Sequence, residues 1–359
     1  MNDKSEKKLP PSMAESTVMR NGSESHRHTT ERNVKLDILR TLAILECIVA
    51  HALMADHLDK VEYLWTILFM PDTAGVFFMA SGALILCRSV RPGWRYVWHR
   101  ISTFLPEFIL FSVLYAFLND AYGLVVGSLH ASLIQKICYM FITPTWGPGW
   151  FILALISLYV VVPMLWMWLQ TASRREVEIG IGIWLIATLV PTIEPQTPIN
   201  IPGSIFGTMF NYGGYMLLGY YLVHWPFKER KGAFKFCFFL ATVLIGLVFG
   251  FFLGRSGAKW GYMQQLTTGL SLNIVMMSLL QFGLVLIMPD RWFKGIVGRV
   301  GTWLSILSLG IYCVHWLVIQ YWAIPGGVSW YVGTIVALAV SIPVAWIMRR
   351  IRLLATGRR

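Results

Sequence analysis

Arg40 and His51 stand eleven positions apart in LDILRTLAILECIVAHALM, residues 36–54, an apolar stretch long enough to cross a bilayer. At about 100° per residue that step makes three full turns and about 20° more, so both side chains share one face, about 16 Å apart along the axis. Asp37 lies about 60° from Arg40 on the same wheel, and Ile44 and Cys47 fall between Arg40 and His51. The face is polar at both ends and apolar in the middle, which implies two polar levels rather than one continuous seam. Glu46 projects about 100° or more away, toward a different neighbour. Ionisable side chains in membrane segments are costly and mostly face a bundle interior or a wet cavity. Arg40 alone could snorkel to headgroups or pair with Asp37, and His51 alone could bond a neighbouring helix. A cation near the cytoplasmic mouth with an imidazole deeper in the membrane suits an anionic ligand whose reactive end reaches inward. Imidazole accepts a hydroxyl proton or carries an acyl group, and an acyl-CoA matches that outline. The same His and Glu groups would equally serve a proton-coupled transporter.

Depth along the chain nominates partners. His315, in SLGIYCVHWLVIQYW, lies at nearly the depth of His51 if both spans run from inside to outside. Glu107, in RISTFLPEFILF, lies nearer the level of Arg40, with Arg100 at the mouth of the same span. One level would then hold Arg40, Arg100 and Glu107, with Glu107 or Glu46 orienting an arginine, and a deeper level would hold His51 and His315. His224, beside Trp225 in LVHWPFKER, reads as an interfacial anchor, and His99 belongs to a basic loop.

The elements that must position these residues are membrane helices. Of 359 residues, 56% are hydrophobic and 13% charged, about half the charged share of an average soluble domain. Apolar spans are read at 36–57, 63–87, 101–123, 147–169, 177–193, 205–224, 234–254, 265–288, 302–323 and 328–348. With the N-terminus inside, 25 of the 30 Lys and Arg fall on inner segments, and the outer segments hold only Lys60, Lys136, Arg255 and Lys259. The net charge of +12 is therefore a topology signal, not a sign of nucleic-acid binding. The expectation is an all-α polytopic bundle of about ten transmembrane helices in the plasma membrane, both termini cytoplasmic. Residues 1–35 read as a disordered cytoplasmic tail without a signal-peptide core, 36–348 as the transmembrane domain and 349–359 as a basic tail. The segment HASLIQKICYMFI, within 124–146, would add a short interfacial helix. Cys47, Cys87, Cys138, Cys237 and Cys313 show no CxxC spacing and read as small packing residues, and no metal site is expected.

The spacing within LDILRTLAILECIVAH resembles the first-helix signature of the acyltransferase 3 family of membrane acyltransferases. FFMASGALIL (77–86), HRISTFLP (99–106), GPGWFILALISLYVVVPML (147–165) and GIYCVHWLV (310–318) resemble its later landmarks, in order, across most of residues 36–323. The resemblance implies transfer of an acyl group, commonly acetyl or succinyl, from cytosolic acyl-CoA to a hydroxyl of a glycan or lipid-linked sugar of the cell envelope. No bound cofactor is implied. Members of a polysaccharide synthesis or export machinery would be partners. His51 would take the family's histidine role and Arg40 its arginine role, with Arg100 helping to hold the donor. Ser81 and Gly82 would let the second helix approach closely beside the donor site, or serve packing without substrate contact. Trp150 would stack on a sugar or belong to an interfacial belt. His315 matches the family pattern as a supporting histidine. Many members carry two arginines three apart before the third helix, and here Val97 occupies the earlier place.

Overall fold

A computed structural model describes residues 32–55, 73–89, 91–121, 146–193, 212–225 and 271–355, with isolated positions between 235 and 246. Within these residues every named element is helical. They are α1 (Val34–Ala55), α2 (Thr73–Leu86), α3 (Trp94–Ala121), α4 (Trp150–Thr171), α5 (Arg174–Ile193), α6 (Gly213–His224), α7 (Leu272–Ile287), α8 (Ile296–Val318) and α9 (Trp330–Ala355). Short 3-10 turns precede α4 (Gly147–Gly149) and α8 (Asp290–Phe293), and a π turn (Ile319–Ala323) follows α8. The expected interfacial helix at 124–146, the tail up to residue 31 and most of the expected span 234–254 lie outside the described residues.

Four of the described stretches are long and apolar enough to cross a membrane: Trp94–Asn119, Gly147–Thr171, Ile296–Ala323 and Trp330–Leu354. Shorter apolar helices lie at Thr73–Leu86 and Ile274–Ile287. Bulky apolar side chains stand exposed along them, among them Leu110, Phe117, Met164, Ile335 and Ile351. On a soluble protein so large an apolar surface would be a liability; on a spanning helix it is the lipid-facing side. The chain is thus an all-helical, multi-pass membrane protein. α1 is not among the four, and it carries Lys35, Asp37, Arg40 and Glu46.

Two boundaries differ from the sequence reading for local reasons. α3 begins at Trp94, so the basic residues Arg95, His99 and Arg100 form its first turns rather than a loop. α9 runs on to Ala355, well past the expected end at 348, because Arg349, Arg350 and Arg352 are good helix formers on a solvated end. Between α4 and α5 only Ala172 and Ser173 intervene. Glu176 Oε2 accepts from the Ser173 N–H at 2.6 Å, and the Glu176 N–H donates to Ser173 Oγ at 3.3 Å, a reciprocal capping box that starts α5 abruptly.

α1 and α8 lie side by side. Ser305 Oγ donates to Asp37 Oδ1 at 3.0 Å and Thr302 Oγ1 to Oδ2 at 3.3 Å, while Thr41 Oγ1 donates to the Gly301 carbonyl at 2.6 Å. At the other end His51 meets His315. Low numbers meet low and high meet high, so the two helices run in the same direction, as the depth argument requires. α8 packs on α9, and its backbone is tied to α3 where Tyr115 Oη donates to the Cys313 carbonyl at 2.8 Å. Lys35 Nζ donates to the Leu286 and Met288 carbonyls at the C-terminus of α7 and pairs with Asp290 at 2.8 Å. The Lys35 hydrogen bond and charge hold the exposed Asp290 carboxyl below its ordinary range.

α2 is positioned by α6 through mutual glycines. The Cβ position of Gly82 points at the Met216 backbone, and that of Gly219 at the Met79 backbone, so neither helix tolerates a side chain there. Gly82→Ala is expected to destabilise the protein by about 1–3 kcal/mol through overpacking. Gly182→Ala in α5, where nothing lies within 4 Å, is expected to be neutral. Thermal unfolding of the detergent-solubilised variants checks both.

Candidate active site

His51 and His315 form the centre. His51 Nδ1 lies 2.9 Å from His315 Nε2, their rings stacked at 5.1 Å with a 26° tilt. His315 is fully buried. Its Nδ1 faces the Ile311 carbonyl at 3.3 Å, one helical turn back. A carbonyl only accepts, so His315 Nδ1 carries the hydrogen and Nε2 presents a lone pair. The hydrogen between the rings then belongs to His51 Nδ1, and the His51 lone pair resides on Nε2. Trp316 closes the other side of the His51 ring edge-on, with centroids 5.1 Å apart.

A cavity of about 80 Å³ opens beside this pair. α1 contributes Ile44, Cys47 and His51; α2 contributes Thr73 and Phe77; α4 contributes Trp150 and Phe151; α8 contributes Ser308 and Tyr312. His315 is not a lining residue: it stands behind His51. Tyr312 Oη donates a hydrogen bond to the Pro148 carbonyl and so clips the GPG turn at the head of α4 to α8. That turn delivers Trp150, which lines the cavity and stacks on Tyr212 at 5.2 Å. Cys47 Sγ, one turn before His51, lies 3.6 Å from His51 Nδ1. Sγ, His51 and His315 together place three possible metal-ligand atoms within 4.8 Å of one another. Read from sequence as a packing residue, Cys47 is in fact a member of this cluster; its four-residue step to His51 on one helix was the available signal.

The cationic level is partly as expected. The Arg40 guanidinium sits 4.8 Å above the Phe77 ring. Arg40 and Arg100 both interact electrostatically with Tyr159 of α4, so the two arginines reach a common neighbourhood. Arg100 Nε also donates to Tyr96 Oη at 3.0 Å. Arg88, not singled out in the sequence, lies over the same Tyr96 ring at 4.9 Å, where Arg100 approaches to 5.2 Å.

Two expected placements are corrected. Glu107 joins neither Arg40 nor Arg100; it pairs with Arg352 of α9, which also donates to the Thr103 carbonyl at 3.1 Å. Glu46, which faces away from His51 as its wheel position requires, accepts from Gln281 Nε2 of α7 at 2.5 Å and orients no arginine. Ser81 is buried, Gly82 abuts Met216 of α6 in the close helix approach that its small size implied, and neither lines this cavity. Asp37 is buried as a tie between α1 and α8.

A set of membrane helices with a paired histidine on the wall of an apolar cavity, and arginines at a separate level, defines a polytopic membrane protein with an intramembrane site. The family model described as an acyltransferase domain, of the acyltransferase 3 type, matches residues 33–350. The chain belongs to that family of acyltransferases. No curated protein and no solved structure gives a significant match.

Tyr312→Phe removes the side-chain donor to the Pro148 carbonyl, which keeps the Trp150 N–H, and is expected to cost about 0.5–1.5 kcal/mol. Tyr331→Phe, at an exposed tyrosine, is expected to change nothing. The melting temperatures of the two variants make the comparison.

Proposed function

We propose that the protein is an O-acyltransferase that moves an acetyl or succinyl group from cytosolic acyl-CoA to a hydroxyl of a glycan or lipid-linked sugar at the plasma membrane, without a bound cofactor. In this reading about ten helices span the membrane, both termini are cytoplasmic, and residues 36–348 form the acyltransferase domain between a disordered tail and a basic one. Partners are the bilayer, the two substrates and the polysaccharide synthesis or export machinery; nucleic acid is not among them. The observation that carries the reading is the 2.9 Å His51–His315 contact on the wall of a cavity.

His51 Nε2 accepts the proton of the acceptor hydroxyl as its oxygen attacks the thioester carbonyl. The carbon–sulfur bond breaks, and the CoA thiolate takes that proton back from His51. His315 is a positioning residue: by accepting from His51 Nδ1 it fixes the tautomer and steadies the imidazolium. Arg40, Arg100 and Arg88 bind the anionic part of the donor, Arg88 supplying the second cation that Val97 does not. Trp150, on the cavity rim, offers a face for a sugar ring.

Purified protein is assayed with labelled acyl-CoA and acceptor glycan. His51→Ala is expected to lose about 10²–10⁴-fold in kcat with the protein still inserted. His315→Ala is expected to lower kcat while the donor KM holds, and Arg40→Ala to raise the donor KM. Labelled acyl group retained on His51 would instead mark an acyl carrier. Undiminished acylation in His51→Ala, with polymer export lost, would overturn the transferase reading in favour of a proton-coupled exporter.

A further inference from the structure

We propose that Cys47, His51 and His315 form a site for one soft divalent cation of the zinc class, and that the cation takes the place of the hydrogen shared between the two imidazoles. Three observations meet at this point. The donor atoms are Cys47 Sγ, His51 Nδ1 and His315 Nε2, all within 4.8 Å of one another. Cys47 and His51 are four residues apart on α1, the step that puts two ligands on one face of a helix, and α8 supplies the third. The set is one thiolate and two imidazoles, the ligand types that select zinc and copper over calcium or magnesium.

Two of the three donor distances fit with little movement, and the third, Cys47 Sγ to His315 Nε2, lies within 4.8 Å and has to stand at about 3.6 Å. Four-coordinate zinc with Zn–N of about 2.05 Å and Zn–S of about 2.3 Å requires an S···N separation of about 3.6 Å and an N···N separation of about 3.3 Å. Cys47 Sγ and His51 Nδ1 are 3.6 Å apart; His51 Nδ1 and His315 Nε2, at 2.9 Å, need to open by a few tenths of an ångström. The outer ring is in place as well. Metal-bound histidines donate their second nitrogen to a carbonyl or carboxylate, and His315 Nδ1 faces the Ile311 carbonyl. Cys47 and His51 both line the cavity, so the site borders that space, and three protein donors leave a fourth position for water.

The proton balance is simple. On binding, Cys47 gives up its thiol proton, which is released to solvent. The His51 hydrogen moves from Nδ1 to Nε2, so that Nδ1 can ligate. The two imidazoles stay neutral, and the cluster gains one net positive charge. Under the acyl-transfer reading, a hydrogen on His51 Nε2 blocks the only lone pair available to the acceptor hydroxyl, and the cation is an inhibitor. That consequence rests on the proposed reaction; the site itself does not, and its test uses no turnover.

The test is a titration of the purified full-length chain, in nanodiscs and under reducing, anaerobic conditions, with Co²⁺ as the spectroscopic probe. One equivalent is expected to saturate a visible spectrum of four-coordinate cobalt with a near-ultraviolet thiolate band, and zinc is expected to bleach both. Cys47→Ser is expected to lose the thiolate band, His315→Ala to weaken binding at least tenfold, and Cys87→Ser, at an exposed cysteine remote from the pair, to change neither. Zinc-edge X-ray absorption of the unmodified protein reads the ligands without any variant, with one sulfur and two imidazoles expected. An all-oxygen shell, a cobalt spectrum that does not saturate, or a thiolate band that survives Cys47→Ser would overturn the proposal. Metal binding with no effect on acylation would leave the site standing and remove its inhibitory role. An absent site beside intact His51-dependent acylation would do the reverse.

Discussion

The contact between α1 and α8 is the constraint on which the site depends, because it is where a membrane protein has placed polar side chains and then matched them. Asp37 meets Ser305 and Thr302, Thr41 meets the Gly301 carbonyl, and His51 meets His315. An unsatisfied polar group in the bilayer core costs several kcal/mol, whereas a hydrogen bond between membrane helices averages about 0.6 kcal/mol. The ties therefore barely offset what they cost, and apolar residues of like shape would hold the two helices at least as well. The parallel direction of the two helices follows from the same contacts, and it puts the two histidines at one depth.

The remaining walls are held by separate anchors, so each can be traced to a local cause. α2 is set by the Gly82–Met216 and Gly219–Met79 approaches, which carry Phe77 to its place beneath Arg40. The head of α4 is set by the Tyr312 bond to Pro148, which carries Trp150 to the cavity. α3 is held to α9 by Glu107 and Arg352 and to α8 by Tyr115. Glu107, which sequence reasoning enlisted for the site, thus belongs to the frame that shapes it.

What was legible in the sequence was what helical geometry and depth can encode. The wheel put Arg40, Cys47 and His51 on one face and Glu46 on another, and depth along two inside-to-outside spans matched His51 with His315. Depth gives a level but no azimuth. Glu107 was assigned to the arginines of its level, yet on the bundle it turns toward Arg352, in a segment that reads as a tail and proves to be the last turns of α9. For Gly82 the sequence implies a close helix neighbour without naming it, and the structure supplies α6 at Met216. Cys47 was passed over because cysteines were weighed against other cysteines, while its relevant partners were histidines, one of them 268 positions away in the chain by Cys47 and His315 numbering.

The separation of the two polar levels bears on which ligand the site is shaped for. Arg40 and His51 are about 16 Å apart along α1, and the residues between them that line the cavity are Ala43, Ile44 and Cys47, none of them charged. A proton or small ion crossing a carrier needs closely spaced polar stations, and an apolar gap of that length interrupts them. A ligand with an anionic head and a long, narrow, uncharged arm meets the opposite requirement: cations where the head rests, apolar walls along the arm, and a base only where the arm ends. The order of Arg100, Arg40, Ile44 and His51 has that form, with the cavity at its deep end.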